Sequence, residues 1–493
     1  MPGQLKKRVL SLVACFLSGI GSGTIYLYSA YAPQLAAQLK FSVTEASVIG
    51  LIASIGAALT GPFSGSLVDN RGPSLPLLIG AALILGGYTV VRAAYSHALA
   101  SSFPLISAAL LCVGGGSTFV LSAVVKCAAV NFPEVRGFAT SVPMAAFGLS
   151  AFVVSRIGSN FYPGDTYGLL SILIYLPAAT FLFAYFYARF VPTKGPNIQD
   201  QINHAAAVRS PGRGEAIQMT HMRQPSVDAV LYNNNNTTKL NAVDIYGTKL
   251  LKSSLFWAHF FVMGILAGIG QMYIYSCGYI VNALVLAERG SLATTVAAVA
   301  LSDASAQAAT QEAQQFLMLV QETQSLHVGI LSLSSFAGRL CSGTFSDYLV
   351  NRLQMQRDWL LLGAAVLAGG SQVLGIYVEA PEHLWAISMG SGLMYGMCFG
   401  SYPMIVGDAF GMAHFSQNWG ILALSPIPTA YFFNMLFGMF YDHNSAVDAH
   451  GHRECNLGKF CYNEAFRYTT VFSLVALVLS LTIILKHRKG RLF

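Results

Sequence analysis

The chain has 493 residues, 54% of them hydrophobic and only 10% charged, with a formal net charge of +7. Soluble domains carry about 25% charged residues, so a chain this long cannot dress a water-facing surface and must give most of its exterior to lipid. Among the residues there is no basic patch with interleaved aromatics, no Cys or His spacing that fits zinc or an iron–sulfur cluster, and no G-x-x-x-x-G-K-[ST] phosphate loop. Nucleic-acid binding, a metal centre, a bound cofactor and ATP-driven pumping are therefore set aside, and no catalytic constellation supports a membrane enzyme.

A helix needs about 20 apolar residues to cross a bilayer. The N-terminal residues Met1–Arg8 are basic, and the apolar stretch behind them is too long for a signal-peptide core and lacks its cleavage site, so it reads as an uncleaved first span. Spans are predicted at roughly 9–32, 43–66, 73–94, 101–127, 135–158, 167–190, 255–283, 325–346, 358–378, 384–410, 418–440 and 465–485. The order is six, a polar gap, then six. It divides the chain into a first six-helix bundle (1–190), a linker (191–254) and a second six-helix bundle (255–493). The linker is rich in Asn, Gln, Ser, Thr and Pro, with the run Asn233–Asn236. It cannot bury enough apolar surface to fold alone and is expected to be largely disordered. A polar insert (284–324) in the second bundle has room for a surface helix.

Lys and Arg set orientation. With alternating segments, one side receives about 20 of the 28 basic residues and the other about seven, with Arg339 inside a span. The expectation is an integral multi-pass protein with both termini and the linker in the cytoplasm, where the sequon at Asn235 escapes glycosylation. Plasma and vacuolar membranes are not distinguished by the spans. Lys126 reads as an interfacial anchor. Cys455 and Cys461 share one polar loop on the oxidising side, and a disulfide between them is expected. The other six cysteines read as small packing residues.

The two halves repeat each other. Gly21–Ser29 and Gly268–Ser276 both read G-x-G-x-x-Y-x-Y-S. Gly65-Ser66-Leu67-Val68-Asp69 after the second span answers Gly343-Thr344-Phe345-Ser346-Asp347 after the eighth, and Gly137 and Pro143 answer Gly420 and Pro426. Parallel six-helix repeats about the membrane normal are the organisation of the major facilitator fold, with substrate near the midplane between halves that rock around it.

The stretch Gly65–Pro73 resembles the major facilitator signature between helices two and three, with Pro73 where a basic residue is common. Tyr26–Pro33, Asn131–Gly137, Phe147–Ser150, Gly338-Arg339-Leu340 and Phe415–Gly420 resemble the fungal branch of nodulin-like and monocarboxylate-transporter-homologue proteins. The resemblance implies an all-α membrane protein of twelve transmembrane helices in two bundles, and a functional Arg at position 339. In monocarboxylate transporters an Asp stands one turn earlier, where this chain has Ser335, and a Lys stands in helix one, where this chain has none.

An Arg deep in a span is costly and normally faces a cavity or a partner. Ser332, Ser335, Arg339 and Ser342 make one polar stripe at helical spacing. Two readings stay open for Arg339. It can clamp a substrate carboxylate with two parallel hydrogen bonds, or tie its helix to a neighbour through backbone carbonyls. Thr24, Tyr28 and Tyr31 share a face of span one, and Gln271, Tyr275 and Gly278 are their repeat mates. The candidate substrate-binding set is Arg339, Tyr28, Tyr31, Gln271, Tyr275 and Ser335, with packing as the alternative for the tyrosines. Asp69, Arg71, Glu134, Arg136, Asp347 and Asp408 sit at cytoplasmic helix ends and are assigned to a gate, where carboxylates can meet Arg or a positive helix N-terminus; simple end-capping is the alternative. The spans expected to line the cavity carry no Asp or Glu near the midplane, and His259 reads as interfacial. Transport is then uncoupled, or a proton rides with an anionic substrate. The function expected is secondary transport of a small organic anion, such as a monocarboxylate, by alternating access. The alternatives are a carrier of a neutral or cationic solute (an amino acid or polyamine) and a transporter-like receptor.

Overall fold

Apolar runs separated by short polar turns fold into twelve long helical segments in a computed structural model that describes residues 2–41, 43–99, 102–162, 165–191, 245–297, 306–447 and 453–488. The first half contributes Pro2–Ser22 with its continuation, Val43–Arg71, Ser74–Tyr95, Phe103–Asn131, Arg136–Phe161 and Thr166–Tyr187. The second contributes Ser254–Ala297, Ala306–Asn351, Trp359–Tyr377, Leu384–Phe410, a broken eleventh segment (Phe415–Leu422 and Pro426–His443) and Asn463–Arg488. Among the described residues, ten of these segments are long and apolar enough to cross a bilayer. The eighth and tenth are long enough too, but serines, tyrosines and Arg339 lower their hydropathy. Protein rather than lipid surrounds that polar surface, as the backbone and polar groups of a span require.

Each half has its own apolar core. One cluster is drawn wholly from residues 14–188, with Tyr31, Tyr88 and Phe181 among its members. The other runs from Leu250 to Ile483 and takes in Val125, Ala129 and Met144 of the first half. The halves meet along two seams, the second span against the eleventh and the fifth against the eighth. A Cβ on Gly65 would overlap the Ser416 carbonyl, and Gly137 and Gly343 stand in the same relation to each other. Small residues let these backbones approach within lipid, where packing replaces the hydrophobic drive.

Three features depart from the sequence reading. The first span is not one α-helix: it tightens into a 3-10 turn at Gly23–Leu27 and resumes as Tyr28–Leu39. Its repeat mate, the seventh span, runs unbroken. The described parts of the polar insert do not form a separate surface helix. They lengthen the seventh span to 44 residues and the eighth to 46, about 65–70 Å each at 1.5 Å per residue against a hydrocarbon core of about 30 Å. Residues 298–305 between them lie outside the described residues. So does most of the expected linker, 192–244; its end is bound to the second half, where the Asn418 amide donates to Ile245 O at 2.9 Å and Tyr246 stacks on His414 at 3.7 Å.

Beyond the eleventh segment a short antiparallel ladder pairs Ala446 with Glu454 and Val447 with Arg453. Cys455 and Cys461 are joined by a disulfide beside it.

Candidate functional site

An even number of spans brings both ends of the chain to one end of the bundle, and two carboxylates close the seams there. The first backbone N–H groups of a helix have no intrahelical acceptor and carry a partial positive charge. At the start of the fifth span, Gly137 N and Phe138 N donate to the Asp347 carboxylate of the eighth at 2.9 and 2.8 Å. At the start of the eleventh, Ser416 N and Gln417 N donate to the Asp69 carboxylate of the second at 3.2 and 2.9 Å. Each half thus caps a helix of the other, in the symmetric pair of places that the repeat occupies.

A cation balances each carboxylate, but the two cations come from different places. Arg357, on the turn after the eighth span, reaches Asp347 at 3.1 Å and Asp408 at 2.7 Å. For Asp69 the cation is Lys126 of the fourth span, 3.2 Å away, with both side chains only 1% exposed. Lys126 also donates to the Met412 carbonyl of the opposite half at 2.7 Å. It is not an interfacial anchor. A buried partner and a carbonyl across the seam hold it inside the protein.

Two other expected gate carboxylates, Glu134 and Asp408, find their cations within their own halves. Glu134 is exposed and pairs with Arg8 of its own half at 2.8 Å, and Asp408 pairs with Arg357 of its own half. The Glu134 carbonyl does accept from the Asn351 amide across the rim at 3.4 Å. Arg136 is half-buried, and Arg71 is exposed on a groove beside Gln417.

Above the caps, between the halves, lies a polar cluster around Arg339. Arg339 is 2% exposed. Nη1 donates to the Met144 carbonyl of the fifth span at 2.5 Å, while Nε is buried with no acceptor among the described residues. The Tyr395 and Phe399 rings of the tenth span lie 5.8 and 5.5 Å from the guanidinium carbon, within cation–π range. Among the described residues no carboxylate pairs with Arg339. A side chain at Gly148 would press on its guanidinium, so the glycine makes the room. The Tyr395 hydroxyl accepts from Gln271 Nε2 at 3.4 Å and lies close to Tyr26, whose ring packs edge-on against Phe147 at 5.3 Å.

Of the expected substrate residues, Arg339 and Gln271 therefore share one cluster. Tyr275 is 47% exposed, one turn along the seventh span, and faces Ser54 of the second. Tyr28 is half-buried with its ring against Gly50 and Tyr31, while Tyr31 lies inside the first half's core. Ser335 is buried with its backbone against Gly396 of the tenth span. Tyr395 and Phe399 escaped the sequence reading because an aromatic pair in an apolar span carries no positional mark. His259 is also not interfacial. It is buried 4.0 Å from Asp358 at the start of the ninth span, and Tyr402 donates to its backbone carbonyl.

Known proteins share the fold and parts of the sequence. A family model described as Nodulin-like matches residues 8–208. An uncharacterised membrane protein of Saccharomyces cerevisiae is 29% identical across 96% of this chain and 93% of its own length. A probable transporter, MCH1, of Wickerhamomyces anomalus is 25% identical across 89% and 80%. The oxalate:formate antiporter of Oxalobacter formigenes is 28% identical across 33% of this chain and 39% of its own. Among solved structures, the proton:xylose symporter XylE superposes with a TM-score of 0.57 across 98% of this chain and 96% of that one, at 14% identity, a likeness of fold. The chain is a multi-pass secondary transporter of the major facilitator fold, not an enzyme. Within that superfamily it resembles the nodulin-like and monocarboxylate-transporter-homologue branch.

Proposed function

We propose that the chain carries a small organic anion by alternating access, with Arg339 as the group that holds the substrate's carboxylate. One observation carries the reading: a buried guanidinium stands between the halves with an unmet Nε donor and no carboxylate beside it among the described residues. A buried unmet donor is costly, and a carboxylate accepts two parallel N–H bonds from such a fork. Ser335 stands where the resembled transporters have an acid, which leaves the positive charge to the substrate. The antiporter relative is named for two carboxylates, which favours the same class. Gln271, Tyr395 and Tyr275 would contact the rest of the substrate. With no acid in the cluster, a coupled proton would travel as the acid form of the substrate.

The reading puts both termini in the cytoplasm, so the Asp69 and Asp347 caps form the cytoplasmic gate and must break for that side to open. A structural Arg339 is the second reading, and its bond to the Met144 carbonyl favours it; the substrate is then neutral or cationic. The two separate in a thermal unfolding experiment on purified protein with monocarboxylates, dicarboxylates, amino acids and polyamines. A ligand at a hundredfold excess over its Kd stabilises by about 2.7 kcal/mol. A carboxylate should raise the midpoint of the wild type and not that of folded Arg339→Gln. Equal stabilisation of both proteins, or stabilisation only by amines, rejects the clamp.

A further inference from the structure

We propose that the groove between the second and eleventh spans, at the terminus-bearing end, binds a phospholipid with an anionic headgroup. The groove is open, with a volume of about 410 Å³, and is lined by Pro62, Phe63, Ser66, Leu67, Asn70 and Arg71 of the second span and by Gln417 of the eleventh. Arg71 ends its helix, is exposed, and has no ion-pair partner among the described residues. The nearby carboxylate of Asp69 is already taken by Lys126 and by two backbone N–H groups, so it does not neutralise Arg71.

The run of the groove along the second span selects a lipid over a soluble anion. Phe63, Leu67 and Arg71 fall at i, i+4 and i+8 on one helix face, which sets Phe63 about 12 Å below Arg71 at 1.5 Å per residue. Phe63 is 73% exposed. A guanidinium at the end of a span lies at headgroup depth, and a ring that far beneath it lies against acyl chain. A phosphate on Arg71 and the Gln417 amide, with its chains along Leu67 and Phe63, meets both ends of the stripe; a free phosphate meets only one. The two walls belong to different halves, and the backbones behind them touch at Gly61–Gly420 and Gly65–Ser416. The lipid therefore binds the closed seam in preference to a parted one and shifts the population toward it.

Native mass spectrometry of the purified full chain in detergent, titrated with phosphatidylglycerol or phosphatidylcholine, tests the proposal. One basic side chain near an anionic lipid surface is worth about 1 kcal/mol, or about fivefold in affinity. Phosphatidylglycerol should bind more tightly than phosphatidylcholine. Arg71→Gln should weaken it about fivefold, Arg71→Lys should retain most of it, and Lys6→Gln with Lys7→Gln, charges at the same end but off the groove, should leave it unchanged. Equal binding of the two lipids overturns the proposal, as does undiminished binding by an Arg71→Gln protein with a native thermal midpoint. Inorganic phosphate that displaces phosphatidylglycerol at comparable concentration would assign the groove to a soluble anion and overturn the lipid.

Discussion

Lys126 shows how much a single side chain's meaning depends on its surroundings. In the sequence it is a cation near the end of an apolar helix, and such residues usually reach for the headgroups. In the fold it neutralises Asp69 and reaches a carbonyl of the other half. Removing one partner of a buried pair leaves an uncompensated charge, at a cost of about 3–5 kcal/mol. Lys126→Met should therefore lower the unfolding midpoint strongly, and Asp69→Asn with Lys126→Met should recover most of the loss; a double-variant loss equal to the sum of the two single losses would show that the two are uncoupled. A milder effect is expected at Tyr273, whose hydroxyl lies 2.6 Å from Ser388, itself 3.2 Å from His327 Nδ1. Tyr273→Phe removes one buried hydrogen bond and should cost about 1 kcal/mol, read as a small midpoint shift with uptake retained. Its repeat mate Tyr26 is partly exposed beside Arg339's aromatic neighbours, so Tyr26→Phe should act on uptake instead.

At the scale of elements, the repeated motif marks equivalent helices without giving them equal tasks. Gly21 packs against Thr180 and Phe181 of the sixth span, whereas Gly268 packs against Thr429 and Phe433 of the eleventh. The 3-10 turn is confined to the first span. The glycines of the seams are more symmetric, because each seam sets one half's capping helix against the other half's helix start. Gly65→Ala puts a methyl against the Ser416 carbonyl, and backbone must move to take it. Ser416→Cys in an otherwise native chain should react slowly with a water-soluble maleimide, since position 416 is buried. The same cysteine with Gly65→Ala should react several-fold faster; an unchanged rate would mean that the seam absorbs the methyl without parting.

Across the whole molecule, the charged groups that matter most to stability are those shielded from solvent. The Glu379–Lys459 pair at the opposite end makes the contrast: hydrogen bonding to Lys459 and its charge hold the exposed Glu379 carboxyl below its ordinary range. A lowered carboxyl stabilises above its unfolded value and loses that contribution as pH falls through its folded value. Here solvent and salt screen the pair, so Glu379→Gln should leave the midpoint between pH 5 and 8 unchanged, in contrast to Lys126→Met.

The sequence by itself determined the membrane class, the all-α fold, the repeat, and the presence of an arginine inside a long helix, because hydropathy and helical period are local properties of the chain. It also marked Asp69 and Asp347 through the repeat. Only the tertiary structure decided what those residues meet. That Asp69 caps the eleventh span, that Lys126 and not a loop residue neutralises it, and that Tyr395 and Phe399 flank Arg339 are contacts between segments hundreds of residues apart. No local period encodes which side chain will lie opposite another once two bundles have packed.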